Sequence, residues 1–264
     1  MRLKIYSPAL FACLTAAILP VAAHAQAGPP FLSNDPGTPG NGNWEINVGS
    51  MQTVTRFGAS YQVPQLDVNY GLGDRIQLTY LVPYVIQTSG GGNVHEGWGN
   101  ASPGVKWRFL DQGEEGWQLS TFPQAMTGVS VHAEQEGIAQ AGPRYLLPVE
   151  VTHPVGPIGL DFEAGYIVPA RGPHESILGL VAGHRFSPRL ELCAELYDDH
   201  VYEADGHTTT WDVGGRYKLH RSFILLFMAG RSLDGTAAGQ PQYMGYVGLQ
   251  ILLSHYGLAL GSEE

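Results

Sequence analysis

The stretch from Pro64 to Gln87 carries the pattern that recurs along the chain. Leu66, Val68, Tyr70 and Leu72 alternate with Gln65, Asp67, Asn69 and Gly71. After Gly73-Asp74-Arg75 the alternation resumes, with Ile76, Leu78, Tyr80 and Val82 on one parity and Gln77 and Thr79 on the other. Side chains of a strand point alternately to its two faces. A tight turn containing Gly-Asp joins antiparallel strands. The stretch therefore predicts a hairpin with one apolar and one polar face.

The same period of two predicts about ten further strands. Trp44, Ile46 and Val48 open the series, and the hairpin supplies the second and third strands. Val105 to Phe109, Trp117 to Ser120, Tyr145 to Val151 and Ile158 to Tyr166 follow. Then come Leu178 to Phe186, whose phase its glycines obscure, and Leu190 to Leu196. Trp211 to Lys218, Phe223 to Arg231 and Tyr243 to Leu253 complete the set. Short turns are predicted at Gly73, Asp111, His153, Pro188 and His220. Longer loops are predicted at Ser89 to Ser102, Gly128 to Gly142, Arg171, Asp198 to Thr208 and Asp234.

Charged residues keep to one parity. Asp67, Lys106, Arg108, Arg144, Glu150, Asp161, Glu163, Glu191, Glu195, Asp212, Arg216 and Lys218 all oppose the apolar set, as does Asn69. Two architectures alternate in this way. A soluble β-sandwich turns its apolar faces to a dry core and its charges to water. A membrane barrel turns its apolar faces to lipid and its polar faces to the lumen. Both signs of charge share the polar parity, as Arg144 with Glu150 and Asp212 with Arg216 illustrate, which suits a lumen of paired charges. Tyr70, Tyr84, Trp107, Trp117, Tyr145, Tyr166, Trp211 and Tyr217 sit near strand ends on the apolar parity, where girdles form at the two interfaces. The predicted fold is all-β: an antiparallel up-and-down transmembrane β-barrel of about twelve strands, with short periplasmic turns and longer extracellular loops. The residues of the polar parity, Asn69 included, are its candidate lumen lining.

The start of the chain fits export. Arg2 and Lys4 precede an apolar run from Pro8 to Ala23, and Ala23-His24-Ala25 matches the small-x-small pattern of a cleavage site. The run is shorter than the ~20 residues of a spanning helix. We expect residues 1–25 to be a signal peptide, 26–43 an irregular Gly- and Pro-rich segment, 44–253 the barrel and 254–264 a tail. Lys and Arg number 14 and Asp and Glu 24; without Arg2 and Lys4 the basic count becomes 12 and the net charge −12. That acidity argues against nucleic acid, which requires basic patches. Cys193 is the one cysteine beyond the signal, so no internal disulfide is expected.

Asn34-Asp35-Pro36-Gly37-Thr38 comes before Trp44-Glu45. Leu66 to Leu72 and Leu81-Val82-Pro83-Tyr84 follow, and then Gly97-Trp98-Gly99-Asn100 leads into Gly104 to Phe109. With these patterns the chain resembles the outer-membrane transporter family named for the "MetA-pathway of phenol degradation". The resemblance covers nearly all of the mature chain and implies uptake of aromatic or other small hydrophobic compounds, with no catalytic motif. One departure is the ending, since the chain continues through Tyr256 to Glu264 instead of closing on the terminal aromatic that insertion machinery reads.

Candidate chemistry is sparse. Asp198, Asp199, His200, Glu203, Asp205 and His207 crowd one predicted loop, where carboxylates with His are able to hold a divalent cation; a solvated acidic loop has the same composition. Ser120, Ser130, His132 and His153 are available to a barrel lipid hydrolase, but no spacing links them and no nucleophile elbow is present. No catalytic residue, metal site or cofactor is therefore expected. The function expected is a channel or transporter for small solutes. A lipid hydrolase or a non-catalytic binding barrel stands as the alternative. The expected partners are outer-membrane lipid, a small-molecule solute and the barrel-insertion machinery.

Overall fold

A computed structural model describes residues 27–202, 206–234 and 239–254. Twelve antiparallel strands form one closed sheet. They are β1 (Trp44–Thr55), β2 (Gly58–Leu72), β3 (Ile76–Ser89), β4 (Val94–Trp98 and Asn100–Asp111), β5 (Gln118–Thr121 and Gln124–Gly128) and β6 (Arg144–Val155). The second half is β7 (Ile158–Pro169), β8 (Glu175–Arg185), β9 (Leu190–Val201), β10 (Gly206–His220), β11 (Phe223–Ser232) and β12 (Tyr243–Leu253). Each strand pairs with its neighbours in sequence, and β1 closes on β12 from Trp44↔Leu253 to Val54↔Tyr243. Closure removes every unpaired edge, which a sheet surrounded by lipid requires. Two of the strands are interrupted. Gly99 divides β4, and Phe122-Pro123 divides β5, because Pro has no N–H for the ladder.

The barrel is polar inside and apolar outside. Glu150, Asp161, Glu163 and Asp212 are at most 1% exposed, whereas Leu147 and Val247 are 55% and 56% exposed. A soluble sandwich has the opposite distribution, so the inversion decides between the two predicted architectures. Aromatic girdles mark both ends. Near the turns, Trp44 meets Tyr70 with ring centroids 4.6 Å apart and Trp117 stacks on His153 at 4.2 Å. Near the loops, Tyr84 meets Trp98 at 5.5 Å and Tyr166 meets Tyr202 at 6.1 Å.

Strands run further than the alternation alone predicts. Residues read as the loop Ser89 to Ser102 largely belong to β4, whose Val94–Trp98 pairs with β3. The loop read at Asp198 to Thr208 is likewise mostly ladder, since β9 reaches Val201 and β10 begins at Gly206. Backbone pairing overrides polar composition there. In β8 the phase becomes definite: Ile177 and Val181 are buried inward, while Leu178 and Leu180 are exposed. Leu180 lies mid-strand, opposite the outward-facing Phe162 and Leu196. Leu180→Arg is expected to destabilise the lipid-embedded barrel by about 2–4 kcal/mol, the cost of a cation at the bilayer midplane. Urea titration of barrels refolded in lipid vesicles measures it, and an unchanged midpoint would place this face outside lipid.

Candidate solute pathway

The lumen contains the segment before β1. Its residues Ala27, Phe31 and Ser33 are 1%, 6% and 1% exposed. No strand pairs with residues 27–37, so their backbone groups find partners among inward side chains. Ala27 N–H donates to Asp161 Oδ2 at 3.0 Å. Leu32 and Ser33 N–H donate to the two oxygens of Glu195 at 2.9 and 2.7 Å. Asn34 N–H donates to Glu163 Oε2 at 2.8 Å. The carbonyls are met by cations. Arg216 donates to Ala27 and Pro29 at 2.9 and 2.8 Å, and Lys106 Nζ donates to the Asp35 carbonyl. Carboxylates thus read the segment's donors and cations its acceptors, in a dry setting where such bonds are strong. The wall leaves room for this approach. A Cβ on Gly179 of β8 would stand 1.9 Å from Ser33 Oγ.

The remaining inward polar residues form two groups. On β1 to β3, Asn47 and Asn69 each donate to Asp67 Oδ2 at 3.0 Å, and Gln77 and Thr79 donate to Asn69 Oδ1 at 2.8 and 2.6 Å. On β4 to β6, Lys106 lies 3.5 Å from Glu150 and 4.9 Å above the Phe122 ring, and Ser120 also donates to Glu150. Register places Glu150 opposite Glu163, Glu195 opposite Asp212 and Glu191 opposite Arg216.

The charge pairs suggested by sequence are replaced by others. Arg144 pairs with Glu175 at the loop end, not with Glu150. Arg108 pairs with Asp111 at 3.2 Å and donates to the Asp74 carbonyl at 2.8 Å, near the turns. Arg144 and Glu150 lie at different depths along β6, so each takes its partner from another strand. Lys218 is exposed, at a register shift where β10 meets its turn.

The acidic-loop candidate is dispersed along two strands. His207 Nε2 meets Asp198 Oδ1 at 2.5 Å, and Thr209 Oγ1 donates to the same oxygen at 2.7 Å. His200 faces His207 edge-on at 5.8 Å between ring centroids. Asp199 stands on β9 with them, while Glu203 and Asp205 lie outside the described residues. Among the described residues no group of three such side chains is placed to hold a metal ion. The Ser and His weighed for hydrolysis do not meet either. Ser120 is inside with Glu150, His153 is stacked on Trp117 in the girdle at the turn end, and Ser130 caps the short helix that contains His132.

Sequence reasoning missed the apolar part of the lumen. Leu146, Ile167 and Ile177 form a buried inward cluster with Met126 and Tyr197 against it. Their parity was the available signal, since Leu146 shares it with Arg144 and Glu150. A cavity of about 510 Å³ runs along the segment, from Glu45 and Gln77 near the turns, past Asp67, Lys106, Glu163 and Arg216, to Phe31, Phe122, Leu146, Ile177, Tyr197 and the amides of Gln62, Gln65 and Gln124 nearer the loops. A second cavity of about 430 Å³ lies at the turn end, and Asp35, Gly37 and Thr38 line both. The segment borders both cavities and narrows the lumen between them.

Solved structures with this architecture are outer-membrane proteins. The chain superposes on the COG4313 outer membrane channel from Pseudomonas putida F1 with a TM-score of 0.70 at 14% identity, covering 84% of this chain and 100% of that one. The NanC porin gives 0.56 at 7% identity and the KdgM porin 0.55 at 9%, each covering 78% of this chain and 98% of the other. The fold is that of outer-membrane channels and porins. No family model and no curated protein matches the sequence.

Proposed function

We propose that this protein is an outer-membrane channel for small solutes, chiefly uncharged ones with an aromatic or other hydrophobic body. The observation that carries the proposal is the loop-side part of the larger cavity, where Phe122, Leu146, Ile177 and Tyr197 face the amides of Gln62, Gln65 and Gln124. The charged residues of that cavity already have partners: Lys106, Glu163 and Arg216 in the segment, and Glu45 and Asp67 in Asn47. Such a lining favours a neutral molecule over an ion, because a bare charge leaves water without a compensating partner. Asp67, Asn69, Lys106, Arg108, Arg144, Glu150, Asp161, Glu163, Glu191, Glu195, Asp212 and Arg216 line the route; among them Lys106, Asp161, Glu163, Glu195 and Arg216 hold the segment, while Lys218 stands at its inner exit. The architecture of the neighbours supports residence in outer-membrane lipid. Residues 1–25 act as the export signal, 254–264 as a tail, and the barrel-insertion machinery is the assembly partner.

Proteoliposome uptake tests this function. Neutral monoaromatic alcohols are expected to enter faster than benzoate or benzylammonium of the same size. Absence of both uptake and conductance would remove the channel function, and equal uptake of all three would remove the selectivity.

A further inference from the structure

We infer that residues 129–143 form an outer gate over the lumen that the N-terminal segment closes from the other end. This rests on the channel function proposed above and adds its regulation. The connection does not stand clear of the barrel. It makes one helical turn, α1 (Val131–Gln135), and folds inward before β6. Ala133, Ile138 and Ala139 are 3%, 7% and 6% exposed and cluster with Val85. Val85 belongs to the inward parity of β3, and its ladder partner on β4 is Gly97. The loop therefore packs on the inner wall at the mouth. Gly97 makes the fit possible, since a Cβ there would lie 3.3 Å from Ile138 Cδ1.

Polar anchors complete the seal at the rim. His95 pairs with Glu136, Gln140 N–H donates to Asn100 Oδ1 at 3.1 Å, and Arg144 reaches both Gln140 and Glu175. Among the described residues the one backbone bond from 129–143 to the next strands is Ala170 N–H to the Pro143 carbonyl at 2.8 Å, at the point where the loop meets β6. A few apolar contacts and polar pairs within reach of water can open without disturbing the sheet, and such locally weak elements are the ones that move. At the start of the loop Val129 and Val131 are 47% and 69% exposed, so its far side is free of packing.

Gly97→Cys with Ile138→Cys tests the gate in the full-length chain, alone and combined with Gly179→Leu, whose side chain displaces the segment. Cys193 is buried on β9 and does not compete. Oxidation is expected to hold conductance low, and reduction to raise it several-fold in the same molecules. Ile138→Asp sets a charge against Val85 and should match the reduced level without any disulfide. Equal conductance in both redox states with the bond verified on a gel, or no gain from Ile138→Asp, overturns the outer gate and leaves the channel standing. Zero conductance in every variant overturns the channel function itself.

Discussion

A barrel lacking Ala27–Gly37 will conduct several-fold more than the intact chain in planar bilayers. The segment lies within the lumen and borders both of its cavities, with Phe31 and Ser33 buried there. It contributes no strand, so its loss leaves all twelve strands and their closure intact. Deletion uncovers Asp161, Glu163 and Glu195, which then face water instead of peptide N–H groups. The open lumen should accordingly select cations, as a ring of carboxylates does. Gly179→Leu provides a second route to the same state without shortening the chain. Its side chain would occupy the space of Ser33 Oγ and push the segment aside. Conductance unchanged in both variants would mean that solutes pass by another path.

Arg216→Met will destabilise the folded barrel by about 3–5 kcal/mol, the usual cost of removing one partner from a buried ionic set. Arg216 is 7% exposed, faces Glu191 across the ladder and donates to two carbonyls of the segment. Methionine keeps the volume and removes the charge, leaving buried carboxylates with one cation fewer. Arg216→Lys retains the charge but has one point of attachment where the guanidinium has a fork, so it should fall between the two. The temperature at which the heat-modifiable band converts on a gel reports the order. A methionine variant as resistant as the parent would show that the acids of β9 and β10 do not need this cation.

Strand number and face were legible because both follow from alternation, a property of the local sequence. Val68 beside Asp67 and Tyr145 beside Arg144 suffice to set inside and outside. Three things were not legible. Gly99 and Pro123 interrupt strands that continue beyond them, and only the partner strand carries the register across. The partners of Arg144 and Glu150 come from other strands, so spacing along β6 misassigned them. Residues 27–37 have no periodicity at all. Their Gly, Pro and Asn content pointed to irregular backbone but carried no information on where it lies. Its position is specified by Asp161, Glu163, Glu195 and Arg216, which appeared in the sequence only as members of the charged parity.

Those contacts also order events during assembly. The segment is synthesised before the barrel, yet its side-chain hydrogen-bond partners are 71 to 189 residues downstream. Pairing of adjacent strands closes short loops, whereas this contact must wait until the carboxylates of β7 and β9 and the guanidinium of β10 stand in place. A nascent barrel is consequently hollow, and it acquires its stopper only when the cylinder is almost complete.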